Sequence, residues 1–188
     1  MIKYSDPKKI DNLYPLEVYT CKLDLGNLKK EYIKIIDLEG DKQCRSTNIK
    51  ADMTDWRLQD TYGNFEVLID VFSDIYKKII EKTHPEFYQI LIGHYGDTYV
   101  FKNINLWGAR YRSREKTIPH DHIPAKMSMC LYLKTPKGCP GLSFNDISKT
   151  IPVSEDQLLI FDSSIKHSVK SKKFRGTRYI LSANIDPE

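Results

Sequence analysis

The sequence predicts a mainly β fold with N-terminal helices: a jelly roll (double-stranded β-helix, cupin-like) buttressed by helices on one face. Three observations carry this. From about Tyr99 onward the chain breaks into short apolar segments at regular spacing: "TYVFKNINLWGARYR", "KMSMCLYLK", "GLSFND", "TIPVS", "QLLIFD", "HSVKS" and "TRYILSANI". Turn sequences such as "TPKGCPG" and "FRGT" separate them, the pattern of an all-β sandwich or barrel. The first half instead holds a long amphipathic segment, "NFEVLIDVFSDIYKKIIEK". There Phe65, Leu68, Ile69, Phe72, Ile75, Tyr76, Ile79 and Ile80 recur at the three-four spacing of one helical face.

Taken in order, "YPLEVYTCKLD" reads as a strand, with apolar and β-branched residues ahead of a charged turn. In "LGNLKKEYIKIIDLEG", Leu28, Tyr32, Ile35 and Ile36 share a helical face, and Asn27 is the expected N-cap. In the long helix Lys77, Lys78, Glu81 and Lys82 form the solvated side, and His84-Pro85 is the expected stop. No internal repeat or low-complexity linker marks a boundary. One domain over 1–188 is therefore expected, with a helical and strand part over 1–97 and a jelly-roll core over 98–188.

The chain has 188 residues, 40% of them hydrophobic and 29% charged, which suits a single globular core and argues against disorder. No run approaches the length of a transmembrane helix, and the start "MIKYSDPKKIDNLY" lacks the apolar stretch of a signal peptide. A cytoplasmic location is expected. Cys21, Cys44, Cys130 and Cys139 form no C-x-x-C pair, which argues against a zinc ribbon or redox motif and for reduced, structural thiols. The net charge of +4 permits an acidic partner without requiring one.

The chemistry concentrates in "IPHDHIPAKMSMCLYL". On a strand, residues i and i+2 point to one face, so His120 and His122 are expected to converge with Asp121 turned away. Paired imidazoles suit a transition metal, and His167, in "LLIFDSSIKHSVKS", is the candidate third ligand. His84 and His94 have no motif around them and are expected to be structural or on the surface. Arg178 lies eleven residues after His167 and shares a strand face with Ile180, Ser182 and Asn184. If that face is interior, the guanidinium needs an anionic partner, and a carboxylate gripped by two parallel hydrogen bonds is the natural one.

The order H-x-H, "SMCLYL", "PVSEDQLLIFDSSIKHSV", "GTRYILSANI" resembles the iron(II)- and 2-oxoglutarate-dependent oxygenases. Within them the chain is most similar to small phage-type members that carry H-x-H, and more distantly to prolyl hydroxylases. The likeness is strongest from Asn105 to Ile185 and extends to "YPLEVYTCKLD". It implies iron held by His120 and His167, with His122 at the position where the family has a carboxylate. It also implies that Arg178 binds the distal carboxylate of 2-oxoglutarate, that Tyr132 hydrogen-bonds the same carboxylate, and that Tyr111 lies beside the cosubstrate. The implied activity is a dioxygenase that converts 2-oxoglutarate and O2 to succinate and CO2 while hydroxylating a protein side chain, nucleotide or nucleic acid. Three neutral imidazoles leave the metal one unit more positive than two histidines and a carboxylate would, and still leave three coordination positions open.

Two other readings fit the same residues. H-x-H with a remote histidine also suits a three-histidine enzyme of cupin or zinc type that does not use 2-oxoglutarate, although Lys126 stands where a cupin would usually continue with glutamate. A non-catalytic jelly roll presenting a basic groove is the third. "RYRSREK" would place Arg110, Arg112, Arg114 and Lys116 on one strand face, and "KSKKFRGTR" adds Lys170, Lys172, Lys173 and Arg175. These segments admit an acidic protein segment, nucleotide or nucleic acid but read more simply as a solvated rim. Trp107 is expected in the core.

Overall fold

A computed structural model describes residues 1–40, 48–96 and 104–185. Along the chain the strands are β1 (Lys3–Tyr4), β2 (Lys8–Lys9) and β3 (Val18–Asp24), then helix α1 (Leu28–Gly40), and strands β4 (Ile49–Lys50) and β5 (Asp52–Met53). Three helices follow, α2 (Leu58–Thr61), α3 (Glu66–Thr83) and α4 (Pro85–Tyr95). The remaining strands are β6 (Ile104–Tyr111), β7 (Lys116–His120), β8 (Met127–Lys134), β9 (Leu142–Phe144), β10 (Lys149–Ile151), β11 (Gln157–Asp162), β12 (His167–Val169) and β13 (Arg178–Ile185).

The strands form two antiparallel sheets. The larger runs β1-β3-β11-β8-β13-β6-β5, with β2 also on β3, and the smaller runs β10-β9-β12-β7-β4. Together they make the expected jelly roll, with helices on one side. The long strands of the larger sheet are buried on both faces, so their sequences read as nearly continuous apolar runs that still obey period two. In β8, Met129, Leu131 and Leu133 face one core with Tyr32, Ile36, Leu68, Phe72 and Ile75 from the helices. Cys130 and Tyr132, one step out of phase, face a second core with Trp107, Phe144, Phe161 and Val169 between the sheets. In β13, Leu181 and Ala183 belong to the helix side, while Ile180 belongs to the inter-sheet side.

α1 docks on β6 through a close approach at Gly108. A Cβ there would meet Ile36 Cγ1 at 2.4 Å, so only glycine lets the helix sit this near the strand. Thr54 seals the contact: its Oγ1 accepts from the Gly108 N–H at 2.9 Å, and its own N–H donates to the Gly108 carbonyl at 2.9 Å. Nearby, Asp52 is buried and accepts from Arg110 Nε at 2.9 Å and Arg112 Nη1 at 2.6 Å, while Arg110 also donates to Asp37 at 2.7 Å.

Several expectations are revised. α3 does stop before His84, but α4 begins at once, because a proline at the first helical position fits φ and needs no N–H partner. The short strands β1, β2, β4 and β5 carry two residues each, too few to show a period. β3 joins the larger sheet between β1 and β11 and so belongs to the jelly-roll layer rather than to a flanking one. Arg110, Arg112, Arg114 and Lys116 do not share a strand face. β6 ends at Tyr111, Arg114 turns the chain with φ 71°, and Arg110 is buried against Asp52. Cys44 and the "TYVFKN" part of the predicted β6 segment lie outside the described residues. Among those described, no helix is long and apolar enough to cross a membrane.

Candidate metal centre

His120 ends β7, and His167 opens β12 directly opposite it in the antiparallel ladder. Between His120 and Thr117 the register slips: two steps along β12, His167 to Val169, match three along β7. This β-bulge, at a proline-containing stretch, changes which residues face inward. Thr117 is buried and Ile118 is 37% exposed, yet His120 lines the inter-sheet cavity together with Thr117.

His122 lies beyond β7 in a loop, so strand alternation is not what brings it to His120. The loop is pinned by its backbone: the His122 N–H donates to Ser163 O at 2.8 Å, and the Lys126 N–H to Ile185 O at 2.8 Å. The three imidazoles nevertheless converge. Their ring centroids are 4.8 Å apart for His120–His122, 4.5 Å for His120–His167 and 5.0 Å for His122–His167. One nitrogen of each lies within 4.8 Å of the others, and His122 Nε2 and His167 Nε2 are 3.3 Å apart. Ligand atoms about 2.1 Å from a common metal lie about 3.0–3.4 Å apart at octahedral and tetrahedral angles, the separation that His122 Nε2 and His167 Nε2 already have. Asp121 is not part of this group; its Oδ1 accepts from the Ile123 N–H at 3.4 Å.

The hydrogen bonds and burial favour ligation. His120 Nδ1 faces Ile118 O at 2.9 Å and His167 Nδ1 faces Ile165 O at 3.0 Å. A carbonyl only accepts, so both Nδ1 atoms carry the proton and both Nε2 lone pairs are free. Burial lowers the pKa of His120. Burial first, then the neighbouring His167 and His120, takes His122 down to about 3, and burial followed by His120 takes His167 to about 4. All three are neutral near pH 7, the form that binds metal.

Arg178 opens β13 opposite Tyr111 and lines the same cavity as His120 and His167. It is completely buried, and none of Nε, Nη1 and Nη2 has a hydrogen-bond partner among the described residues. The guanidinium carbon lies 5.1 Å from the ring centroids of both Tyr111 and Tyr132, whose π faces offset part of the cost of burying a cation. The Tyr132 hydroxyl and Trp107 Nε1 are also buried without partners among the described residues. Burial, with the Cys130 thiol adding to it and Arg178 opposing it, raises the Tyr132 pKa well above its usual value, so the hydroxyl is a donor at neutral pH. Tyr111 is satisfied by Thr117 Oγ1 at 2.7 Å. The inter-sheet cavity thus brings two of the three neutral imidazoles together with the unsatisfied donors of Arg178 and Trp107, a match for a metal ion and a carboxylate ligand.

The architecture decides the comparison. The fold is shared with a prolyl-4-hydroxylase. The crystal structure of that enzyme from Pseudomonas putida superposes with a TM-score of 0.65 at 13% identity, over 95% of this chain and 96% of the other. A viral collagen prolyl hydroxylase from Paramecium bursaria Chlorella virus-1 gives 0.49 at 16% identity, over 97% and 94% of the two chains. An RmlC-like cupin protein from Desulfovibrio desulfuricans gives 0.37 at 16% identity, over 46% and 76%. No protein-family model and no curated protein sequence matches the chain.

The remaining singled-out residues divide cleanly. Trp107 is in the core as expected, and its ring lies 5.6 Å from that of His122. The two basic segments meet: the Arg114 N–H donates to Lys172 O at 2.9 Å and Ser171 Oγ to Arg114 O at 2.8 Å. That junction is at the end of β7 and β12 away from the histidines, and Lys170, Lys172, Lys173 and Arg175 are exposed there. His84 and His94 are exposed and apart from the cluster. The sequence puts Asn184 on the same strand face as Arg178 but assigns it no role. Its Nδ2 lies 3.0 Å from His122 Nδ1.

Proposed function

We propose that the protein is an iron(II)- and 2-oxoglutarate-dependent dioxygenase that hydroxylates a protein side chain, nucleotide or nucleic acid. In this reading His120, His122 and His167 hold the metal through Nε2. Arg178 receives the distal carboxylate of 2-oxoglutarate, Tyr132 donates a further hydrogen bond to it, and Tyr111 lines the site. The chain acts as a single domain over 1–188. When bound, iron(II) would supply dioxygen activation coupled to oxidative decarboxylation of 2-oxoglutarate, giving succinate, CO2 and a hydroxylated substrate. The residues' own part is to bind, orient and exclude water. The sheets enclose the cavity, the neutral imidazoles coordinate, and the buried donors fix the 2-oxo acid before substrate arrives.

The observation that carries this reading is Arg178. A buried guanidinium without a hydrogen-bond partner among the described residues, in the cavity that two of the histidines line, calls for an anion of the size and charge of a carboxylate. The shared prolyl-4-hydroxylase fold supports it. The three-histidine donor set by itself suits zinc equally well, and the need for a carboxylate beside it favours the 2-oxo acid.

The test is anaerobic titration of the protein with iron(II) and then 2-oxoglutarate. A weak visible charge-transfer band and saturable 2-oxoglutarate binding by calorimetry are expected, with both lost in Arg178→Met. Tightly held zinc with no response to any 2-oxo acid would replace this reading with the zinc one.

A further inference from the structure

His122 differs from its two partners in one respect. His120 and His167 each face a backbone carbonyl at Nδ1, which fixes the tautomer with Nε2 free. His122 Nδ1 faces a side-chain amide, Asn184, at 3.0 Å. An amide offers either an acceptor oxygen or a donor nitrogen, and which of the two it presents selects the tautomer of the ring. Behind Asn184 the chain of hydrogen bonds continues: Ser128 Oγ lies 3.0 Å from Asn184 Oδ1 and 2.8 Å from Ser163 Oγ. Both serines are buried.

The two ends of the amide exchange places by half a turn. With Oδ1 toward Nδ1 the amide accepts the ring proton there and leaves Nε2 free for metal, while Nδ2 donates to Ser128 Oγ, whose own proton goes to Ser163 Oγ.

We propose that Asn184 is the positioning residue for His122, held in turn by Ser128 and Ser163 in a hydrogen-bond relay that keeps the ring in its ligating tautomer, with the proton on Nδ1 and Nε2 free. This rests on the reading of the three histidines as a metal centre. It explains why a polar side chain occupies the interior face of β13, and why two buried serines from different strands and loops meet behind it.

The test uses cobalt(II) as the probe, with Asn184→Ala, Asn184→Asp and Ser128→Ala compared with the unmodified protein. Asn184→Ala is expected to weaken cobalt(II) binding by roughly tenfold to a hundredfold, the usual effect of losing an outer partner of a metal-bound histidine. Asn184→Asp, near-isosteric and able only to accept when ionised, should bind at least as tightly as the unmodified protein, and Ser128→Ala should fall between. Proton NMR of the cobalt(II) protein reads the tautomer directly. Three slowly exchanging, hyperfine-shifted imidazole N–H signals are expected, with one exchanging rapidly in Asn184→Ala. Wild-type affinity and three slow N–H signals in Asn184→Ala would overturn the proposal while leaving the metal centre standing. No cobalt(II) binding by the unmodified protein would remove the metal centre itself, and the relay with it. Thermal midpoints of all four proteins separate loss of binding from loss of fold.

Discussion

Arg178 concentrates an energetic conflict in a single side chain. A guanidinium brings five donors into the inter-sheet core, and stacking near Tyr111 and Tyr132 recovers about 1–2 kcal/mol of a burial cost several times larger. Replacing an uncompensated buried cation with an apolar side chain of similar length removes that cost. Arg178→Met is therefore expected to raise the thermal midpoint by several degrees in scanning calorimetry without added 2-oxo acid. It should also abolish the further rise that 2-oxoglutarate gives the unmodified protein. A lowered midpoint would mean that Arg178 serves the fold. Trp107 Nε1 poses a smaller version of the same conflict. Trp107→Phe should leave stability nearly unchanged and weaken 2-oxoglutarate binding if the indole N–H reaches the ligand, a comparison calorimetry makes directly.

Among the elements, α1 is held to β6 by fit rather than by propensity. A methyl group at Gly108 would meet Ile36 Cγ1 at 2.4 Å, Ile36 Cδ1 at 2.9 Å and Thr54 Cγ2 at 3.3 Å. Gly108→Ala is expected to cost about 1–3 kcal/mol in urea unfolding as the helix is pushed off the strand. One strand away, Asp52 is buried, and burial alone would push its carboxyl up. The hydrogen bonds from Arg110 and Arg112 outweigh this and hold it below the usual carboxylate range. A lowered folded pKa contributes stability above the unfolded value near 3.9 and loses it as pH falls through the folded value. Asp52→Ala leaves Arg110 buried without the Asp52 carboxylate and should cost about 3 kcal/mol at neutral pH, with the penalty shrinking in strong acid. The bulge in β7 is the element-scale feature with most bearing on the site. It turns His120 into the cavity beside Thr117, whereas unbroken alternation would turn one of them out.

The whole molecule is two cores that share one sheet, and thiol accessibility reports on both. Cys21, on the helix side, is buried, and that burial pushes its thiol up to about 12. Cys130, between the sheets, is raised by burial as well, and Cys139 is only partly buried. A raised thiol pKa keeps the unreactive protonated form, and the stability this reflects is lost as pH rises past the unfolded value near 8.5. Iodoacetamide at pH 8.5 should therefore label Cys139 well before Cys21 and Cys130, with the latter two following global unfolding in a urea series, as peptide mapping would resolve. Early labelling of Cys130 alone would indicate that the inter-sheet cavity opens independently of the helical core.

Period and composition by themselves determined the class of fold. The two-residue period of β8 and β13 and the three-four stripe of α3 are local properties, and each element expresses them wherever it packs. They also put Arg178, Ser182 and Asn184 on one face, since alternation along an uninterrupted strand needs no partner. Tertiary structure alone decided what interrupts that alternation. His120 faces the cavity because the register of β7 slips against β12, and His122 joins it because Ser163 and Ile185 pin a loop by backbone hydrogen bonds. Strands of two residues and the pairing of Asn184 with His122 likewise depend on neighbours far away in sequence. Such contacts leave no period to read, because they form between elements rather than within one.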